Sequence, residues 1–309
     1  MTRQTLLHSV TSALTTHGFT YQNFMHANSS FDLIARKQNI VLILKILSNI
    51  DALRADHARD LQKLSHVFHA HSLVIGERSK VFDLEPTVLY DRYDLPVLSL
   101  EGFESLLGAR LPVQRSFKGK NSVELDAQRL REKREAAALT LKELSEKAGV
   151  SLETLHRYEH GFPAQMNVAE KLEKILHAQL IRGINVFDTY FEKEKMENEP
   201  FSNSALEQLQ DLGLKLSVFE RAPVTAAGKE HPILISHVEN PRNATKKALL
   251  LEKTQRIVKQ PGMIIASSTQ KIHAGNIPMI REDELSTFST VEDILLELKK
   301  QRKNQKSHD

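Results

Sequence analysis

Two short helix patterns separated by a glycine, within residues 140–161, constrain the fold of this chain more than any other stretch. Thr140 and Glu143 have the spacing of a capping box, in which the hydroxyl accepts from the third helical amide and the carboxylate accepts from the cap amide. A helix is therefore predicted to begin at Leu141. It should end at Gly149, because glycine adopts the left-handed conformation that closes a helix at low cost.

The second helix pattern follows at once and is about two turns long. Ser151 is placed to cap it, and the pattern runs from Leu152 to Glu159 before Gly161 and Pro163 end it. A helix this short, joined to the preceding one by a glycine turn, has the shape that enters the major groove of DNA. The apolar spacing over residues 128–180 predicts four or five helices in all.

The same spacing gives the second helix two faces. Leu155 and Tyr158, three residues apart, are predicted to point into the core. The outward face then carries four side chains that are free to meet another molecule: Leu152, Glu153, His156 and Arg157.

The stretch "LREKREAAALTLKELSEKAGVSLETLHRYEHG" resembles the XRE-type, or lambda-repressor/Cro-type, helix-turn-helix family. The resemblance implies that Leu152, Glu153 and Arg157 approach base edges, with His156 beside them. Arg157 would reach guanine O6 and N7, Glu153 would accept from cytosine N4, and Leu152 would touch a thymine methyl group. It also implies a structural ion pair, Arg134 with Glu159, and candidate phosphate contacts from Arg129, Arg131, Lys133 and Lys142.

Two features weaken the DNA-binding interpretation. Residues 128–180 hold nine Lys and Arg against eight Asp and Glu, and the net charge of the chain is only +3. Family members commonly have a polar residue where this chain has Leu141, so one contact with DNA is expected to be missing. An antitoxin-like module that binds protein therefore stays an alternative.

The flanks alternate strand and helix patterns, which predicts α/β domains on both sides of the all-α module. Residues 61–77 align with residues 251–267 at a constant offset, polar on polar and apolar on apolar. Residues 95–103 align with residues 277–285 in the same way. We therefore expect an internal duplication, although two unrelated strand-helix-strand segments would also look alike.

The first flank resembles the restriction-endonuclease or archaeal resolvase core. In that core an Asp on one strand, and an acid two residues before a Lys on the next strand, hold Mg²⁺. Asp32 and Lys45 match the pattern, whereas Ile43 stands in the place of the second acid. A divalent metal needs clustered oxygen ligands, so the resemblance implies a degenerate core without cleavage. A metal-dependent nuclease or resolvase-like enzyme is nevertheless the main alternative function.

Over the full length, the order "FDLIARK…LILKILSNID…LVIGE", then "LYDRYDLPVLS", the helix-turn-helix and "KLEKIL…INVF" resembles the archaeal HTH-type transcriptional regulatory proteins. The predicted organisation has six parts: a nuclease-like but inactive α/β domain at 1–112, a linker strand at 113–127, the DNA-binding module at 128–185, a charged hinge at 186–201, a second α/β domain at 202–298 and a disordered basic tail at 299–309.

The remaining sequence patterns argue against several kinds of site and segment. The chain has no cysteine, which excludes thiolate chemistry and disulfides, and its apolar run at 40–47 is too short for a membrane span. Four histidines, His57, His66, His69 and His71, are clustered but lack the spacing of a metal site. We expect a cytoplasmic homodimer that binds double-stranded DNA, needs no cofactor or metal and is not an enzyme.

Overall fold

A computed structural model of the chain describes residues 2–25, 27, 29–117, 119–187, 203–267 and 277–306, with only the backbone described at Phe117 and at residues 302–306. Contacts divide the chain into two compact units. The first unit holds residues 1–13, 47–52 and 74–191. The second unit holds residues 14–46, 53–73 and 192–309.

The described residues form eleven α-helices, fourteen strands and two 3₁₀ turns. The helices are α1 (Arg3–Thr16), α2 (Ala55–Phe68), α3 (Leu100–Leu107), α4 (Ala127–Ala136), α5 (Leu141–Ala148), α6 (Leu152–Tyr158), α7 (Met166–Leu176), α8 (Ser204–Asp211), α9 (Ala244–Val258), α10 (Glu282–Leu285) and α11 (Val291–Lys306). The strands are β1 (Thr20–Asn23), β2 (Leu33–Lys37), β3 (Ile40–Asn49), β4 (His71–Arg78), β5 (Val88–Arg92), β6 (Leu95–Ser99), β7 (Gln114–Phe117), β8 (Lys120–Leu125), β9 (Ile181–Arg182), β10 (Leu216–Val218), β11 (Ala226–Gly228), β12 (Leu234–Val238), β13 (Gly262–Ala266) and β14 (Met279–Arg281). The 3₁₀ turns are Ile50–Ala52 and Pro241–Asn243.

In the second unit, β1, β2 and β3 form an antiparallel series. Residues 41–47 of β3 are all buried. A strand that is covered on both faces has a continuous apolar run instead of an alternating pattern. The stretch "VLILKIL" has this composition apart from Lys45, whose burial therefore requires a polar partner.

The C-terminal part of the second unit is a five-stranded sheet in the order β10-β11-β12-β13-β14. The first three strands are antiparallel, and β13 is parallel to both of its neighbours. A parallel pair requires a crossover connection, and α9 supplies the connection between β12 and β13. Leu209 of α8 and Ile294 and Leu298 of α11 pack in the core of this sheet.

Helix α9 also contacts β1 and β2 in the second unit. The guanidinium of Arg36 donates from Nη1 to the carbonyl oxygen of Ile257 at 2.9 Å, near the end of α9. In the opposite direction, the side-chain amide of Gln260 donates to the carbonyl oxygen of Val67 at 3.1 Å, near the end of α2. Each helix therefore has one of its last carbonyls satisfied by a residue from the other end of the chain, as helix termini require.

Parallel strand pairs in the two flanks have the same register. The sequence alignment that places 61–77 over 251–267 carries Val74 onto Ile264, and the alignment of 95–103 with 277–285 carries Val97 onto Met279. In the structure, Val74 pairs with Val97 across β4 and β6. Ile264 pairs with Met279 across β13 and β14 in the same parallel sense.

Antiparallel pairs also correspond. Leu33 pairs with Leu44 across β2 and β3, and Ala226 pairs with Ile235 across β11 and β12. Asp32 directly precedes β2 and Thr225 directly precedes β11, and both residues make the same two kinds of hydrogen bond. The amide of Asp32 donates to the carbonyl of Leu44, and its carboxylate accepts from the amide two residues further on, at Ile46. The amide of Thr225 donates to the carbonyl of Ile235, and its hydroxyl accepts from the amide of His237.

The first unit contains the remaining strands. β4 is parallel to β6, β5 lies between β6 and β7, and β7 forms an antiparallel hairpin with β8. The stretch 113–127, predicted as a linker strand, thus provides two strands of this sheet. The pairing of Leu125 with Ile181 joins β9 to the hairpin, so strands lie on both sides of the helical module in the sequence.

The helical module has four described helices, α4 to α7. Its core is formed by Leu130 of α4, Leu144 of α5, Leu155 of α6 and Leu172 of α7, each fully buried. Val123 of β8 packs in the same core. The module therefore shares apolar contacts with the strand that precedes it.

The predicted disordered tail is corrected in part. Helix α11 continues to Lys306, although disorder was expected from residue 299. Ile294 and Leu298 anchor the helix in the core, and the side chain of Gln301 accepts from the amide of Met279 at 3.0 Å. The Lys, Arg and Gln residues that follow are good helix formers, so the helix extends. The predicted hinge at 186–201 lies outside the described residues from position 188 onward.

Candidate nucleic-acid interface

Helix α5 begins and ends with the chemistry that its sequence predicted. The amide of Thr140 donates to the Glu143 carboxylate at 2.8 Å, and the amide of Glu143 donates to the Thr140 hydroxyl at 3.2 Å. These two bonds satisfy amides that have no partner within the helix. Gly149 closes the helix with φ of 76°. The hydrogen bonds with Thr140 hold the pKa of Glu143 below its ordinary value.

Helix α6 follows after the corner. The Ser151 hydroxyl accepts from the amide of Thr154 at 3.1 Å and caps the helix. Leu155 is fully buried and Tyr158 is 8% exposed, so both side chains lie in the module core. Burial also raises the pKa of the Tyr158 hydroxyl. Gly161 then takes φ of 83°, which turns the chain away from the helix axis.

The outward face of α6 carries the four residues predicted to read bases. Glu153, His156 and Arg157 are exposed, and Leu152 is 51% exposed. An apolar side chain exposed to this extent is informative only in context. Here the context is a seven-residue helix with its core face packed and its polar face open. The structure therefore brings Leu152, Glu153, His156 and Arg157 together on one accessible surface.

Two residues after α6, missed by the sequence interpretation, contact this surface. The Arg157 guanidinium carbon lies 4.5 Å from the centroid of the Phe162 ring. The rings of His156 and His160 lie 4.1 Å apart, and the His160 ring nitrogen Nδ1 bonds the His156 carbonyl oxygen at 2.7 Å. The sequence signal that could have indicated the contact with Arg157 is an aromatic residue, Phe162, directly after the glycine that ends the helix.

Arg134 and Glu159 form a buried ion pair in the helical module. Arg134 Nε donates to Glu159 Oε1 at 2.6 Å, and Nη2 donates to Oε2 at 3.2 Å. Nη1 also donates to the carbonyl of Leu139 at 3.0 Å. The carboxylate of Glu159 raises the pKa of Arg134 further, although burial opposes this shift. The pair ties α4 to the residue that follows α6.

The residues predicted to contact phosphate lie on two helices. Arg129, Arg131 and Lys133 are exposed on α4, and Lys142 is exposed on α5. The guanidinium of Arg131 lies 3.8 Å from both the Glu135 and the Glu159 carboxylates. Its charge is therefore partly balanced within the module. Leu141, the departure from the family pattern, is half-buried against the module core.

The nuclease-like centre in the second unit is closed to solvent. Asp32 is 2% exposed and Lys45 is 5% exposed, and Lys45 Nζ lies 3.7 Å from Asp32 Oδ1. Lys45 also donates to the carbonyl of Ser29 at 3.3 Å, and Asp32 Oδ2 accepts from the amide of Ile46 at 2.7 Å. Ile43, which stands in place of the second acid, is fully buried.

No group of three His, Asp or Glu side chains among the described residues is arranged to hold a metal ion. His57 lies beside the closed centre, and burial, with a smaller contribution from Lys45, lowers its pKa. In the C-terminal part of the unit, the positions that correspond to Asp32 and Lys45 by strand register are Thr225 and Ser236. Both lack a carboxylate or an amine.

No helix in the part of the chain described here combines the length and apolar character that a bilayer crossing requires.

Two family models match the chain. Residues 3–112 match a PD-(D/E)XK superfamily domain, and residues 130–180 match a helix-turn-helix. The N-terminal α/β part is therefore nuclease-like and the middle is a helix-turn-helix, as the sequence predicted. No solved structure matches.

Curated archaeal proteins are similar over nearly the whole length. A protein of Methanocaldococcus jannaschii named "Putative HTH-type transcriptional regulatory protein MJ1164" is 31% identical over 309 residues, covering 96% of each chain. A protein of the same type from Archaeoglobus fulgidus is 32% identical over 87% of this chain and 88% of its own. One from Pyrococcus furiosus is 28% identical over 98% of this chain and 99% of its own.

Proposed function

The chain belongs to the archaeal family of HTH-type transcriptional regulatory proteins, and we propose that it regulates transcription by reading the major groove of DNA with α6. The observation that carries this proposal is the outward face of α6, which holds Leu152, Glu153, His156 and Arg157 in the open above a packed core. A short helix supported in this way is the reading element of helix-turn-helix proteins.

The proposed roles on this face follow from hydrogen-bond geometry. Arg157 donates in bidentate fashion to guanine O6 and N7, and Glu153 accepts from cytosine N4. Leu152 contacts a thymine methyl group, and His156 lies beside these readers. Each contact specifies a base pair, because the major groove shows a different set of donors and acceptors for each pair.

Phosphate contacts are assigned to Arg129, Arg131, Lys133 and Lys142. Such contacts position a protein on the duplex and carry no sequence information. The surroundings of Arg131 support a smaller contribution from that residue, since two carboxylates lie 3.8 Å from its guanidinium. Lys142 at the start of α5, together with Arg129 and Lys133 on α4, then makes the main electrostatic contacts.

We further propose that two copies of the chain act together. One α6 contacts only a few base pairs, and a homodimer doubles the contacts with half-sites about one helical turn apart. A protein that acts on DNA in an archaeal cell is expected in the cytoplasm. The domain limits predicted from sequence, with the DNA-binding module at 128–185, are kept as part of this proposal.

The PD-(D/E)XK match favours a nuclease as the second candidate. Three observations oppose cleavage: the buried Ile43 in place of an acid, the exposure of only 2% at Asp32, and the 3.7 Å contact of Lys45 with that carboxylate. A metal would have to displace this contact, and no cluster of three acidic or histidine side chains among the described residues is placed to hold it. We propose that the nuclease-like part is an inactive scaffold.

The scaffold is proposed to be a duplicated fold. The matching registers of β4·β6 with β13·β14, and of β2·β3 with β11·β12, support this origin. Neither copy would then have a catalytic centre.

The test is direct binding of purified full-length protein to DNA. Fragments enriched by the protein from sheared genomic DNA should contain a common site, and a duplex carrying that site should bind at least about a thousandfold more tightly than scrambled DNA at physiological salt. Equal binding to the site and to scrambled DNA would contradict sequence-specific regulation. Sedimentation of the protein–DNA complex, giving two chains or one per site, tests the homodimer.

A further inference from the structure

We propose that the turn after α6, residues 160–162, positions the base-reading side chains, and that Phe162 is a specificity-determining residue through its contact with Arg157. This inference rests on the proposed function and deepens it. Phe162 lies outside α6, so its position in the sequence would not by itself suggest a role in specificity.

The first observation is the stacking geometry. The Arg157 guanidinium carbon lies 4.5 Å from the centre of the Phe162 ring. A guanidinium at this distance over an aromatic face is attracted by the electrons of the ring. The planar group can stack in this way and still direct its edge N–H donors elsewhere. Those edge donors form the bidentate contact with guanine.

The second observation is the order of the turn itself. The carbonyl of Arg157 accepts from the amide of His160 at 3.0 Å and from the amide of Phe162 at 3.1 Å. The turn is therefore bonded to the same residue whose side chain it supports. Gly161 makes this return possible, because its φ of 83° lies in the left-handed region that other residues rarely adopt.

The third observation is that the turn also contacts a second reader. The ring of His160 lies 4.1 Å from the ring of His156. Its Nδ1 faces the carbonyl oxygen of His156 at 2.7 Å, so this nitrogen carries the hydrogen and donates. Both long side chains on the C-terminal half of the reading face thus have an aromatic neighbour from the turn.

The fourth observation is the exposure of Phe162, which is 47%. Phe162 is also absent from the module core, which is formed by residues such as Leu130, Leu155 and Leu172. A large aromatic side chain on the surface contributes little to stability there. Its contact with Arg157 restricts the Arg157 side chain before DNA is bound. Arg157 then loses less conformational freedom when it meets a base, and such preorganisation increases affinity.

The experiment compares wild type with F162A, F162Y and F162L in the full-length chain. The readout is discrimination at the base pair that R157A identifies, measured by competition between the selected site and duplexes with single substitutions. F162A and F162L are expected to lower discrimination at that pair about two- to fivefold and at no other pair, whereas F162Y keeps it. The thermal unfolding midpoint of F162A should stay near that of wild type.

A double-mutant cycle separates positioning from a direct or structural role. If Phe162 acts through Arg157, F162A has no further effect on discrimination in the R157A background. The inference is overturned if F162A discriminates as wild type does, if it weakens binding equally to all sequences, or if the two changes add. A wild-type protein without any sequence preference would instead contradict the proposed function, and this is seen before any variant is compared.

Discussion

Arg134 in α4 and Glu159, directly after α6, form a buried ion pair in which the guanidinium donates twice to one carboxylate, at 2.6 Å and 3.2 Å. The side chains are only 10% and 1% exposed. The pair links the first helix of the module to the residue that directly follows α6, so it holds these two helices together. Two neighbouring groups, Leu139 through its carbonyl and Arg131 through its guanidinium, extend the network.

Removing either Arg134 or Glu159 should lower the free energy of unfolding. Glu159→Ala or Arg134→Ala leaves the opposite charge buried without its partner, which typically costs about 3–5 kcal/mol. Replacing both, as Arg134→Met with Glu159→Leu, should cost clearly less than the sum. Hydrogen exchange of the amides in residues 128–180, followed in the full-length chain, measures the difference. Equal and additive losses would show that the pair is not coupled.

The capping box at the start of α5 predicts a pH effect. Hydrogen bonds from Thr140 lower the pKa of Glu143 from 4.5 in the folded chain. A lowered folded-state pKa adds stability above the unfolded-state value, and this stability is lost as the pH falls through the lowered pKa. Glu143→Gln should therefore reduce the thermal unfolding midpoint at neutral pH and lose this effect progressively below about pH 4.5. A difference that is independent of pH would argue against the capping role.

Phosphate contacts should be visible in the salt dependence of binding. Lys142→Ala is expected to weaken binding to specific and scrambled DNA alike and to reduce the slope of log K against log salt by about 1. Lys174→Ala is the matched control, since Lys174 is an exposed lysine on α7 to which no contact is assigned. Equal slopes for both variants would remove Lys142 from the interface.

The closed nuclease-like centre predicts no cleavage. Duplex and branched DNA should remain intact with Mg²⁺ or Mn²⁺. Lys45→Ala should lower the stability of the chain and leave DNA uncut, as wild type does. The substitution leaves the buried carboxylate of Asp32 without its cation at 3.7 Å, which lowers the free energy of unfolding by about 3–5 kcal/mol. Denaturant unfolding of the full chain measures this loss. Metal-dependent cleavage by wild type that Lys45→Ala abolishes would establish the enzyme alternative.

The sequence was sufficient for features that depend on neighbouring residues. The Thr140–Glu143 box, the left-handed Gly149 and the Ser151 cap are each determined within a few positions, so hydroxyl, carboxylate and glycine spacing predicted them. The alignment of 61–77 with 251–267 also agrees with strand register, because a shift of one residue would turn every apolar side chain to the wrong face.

Features that depend on distant contacts were not predictable. The stacking of Phe162 on Arg157 requires the turn at Gly161 to fold back on the helix, which spacing alone does not specify. The closure of the Asp32–Lys45 centre depends on packing around β3. The prediction that the tail is disordered from residue 299 missed the end of α11 for a similar reason. The side chain of Gln301 accepts a hydrogen bond from the amide of Met279, and these two residues are far apart in sequence.

The exposed face of α6 is proposed to read base pairs, and one measurement tests this role most directly. Wild type and the double variant Glu153→Ala/Arg157→Ala are used in parallel to select from a pool of randomised duplexes. We expect wild type to enrich a defined site and the double variant to lose preference at the corresponding base pairs, at about 1–3 kcal/mol for each contact removed. Enrichment of the same site, with the same preference at every position, by the double variant would contradict the account.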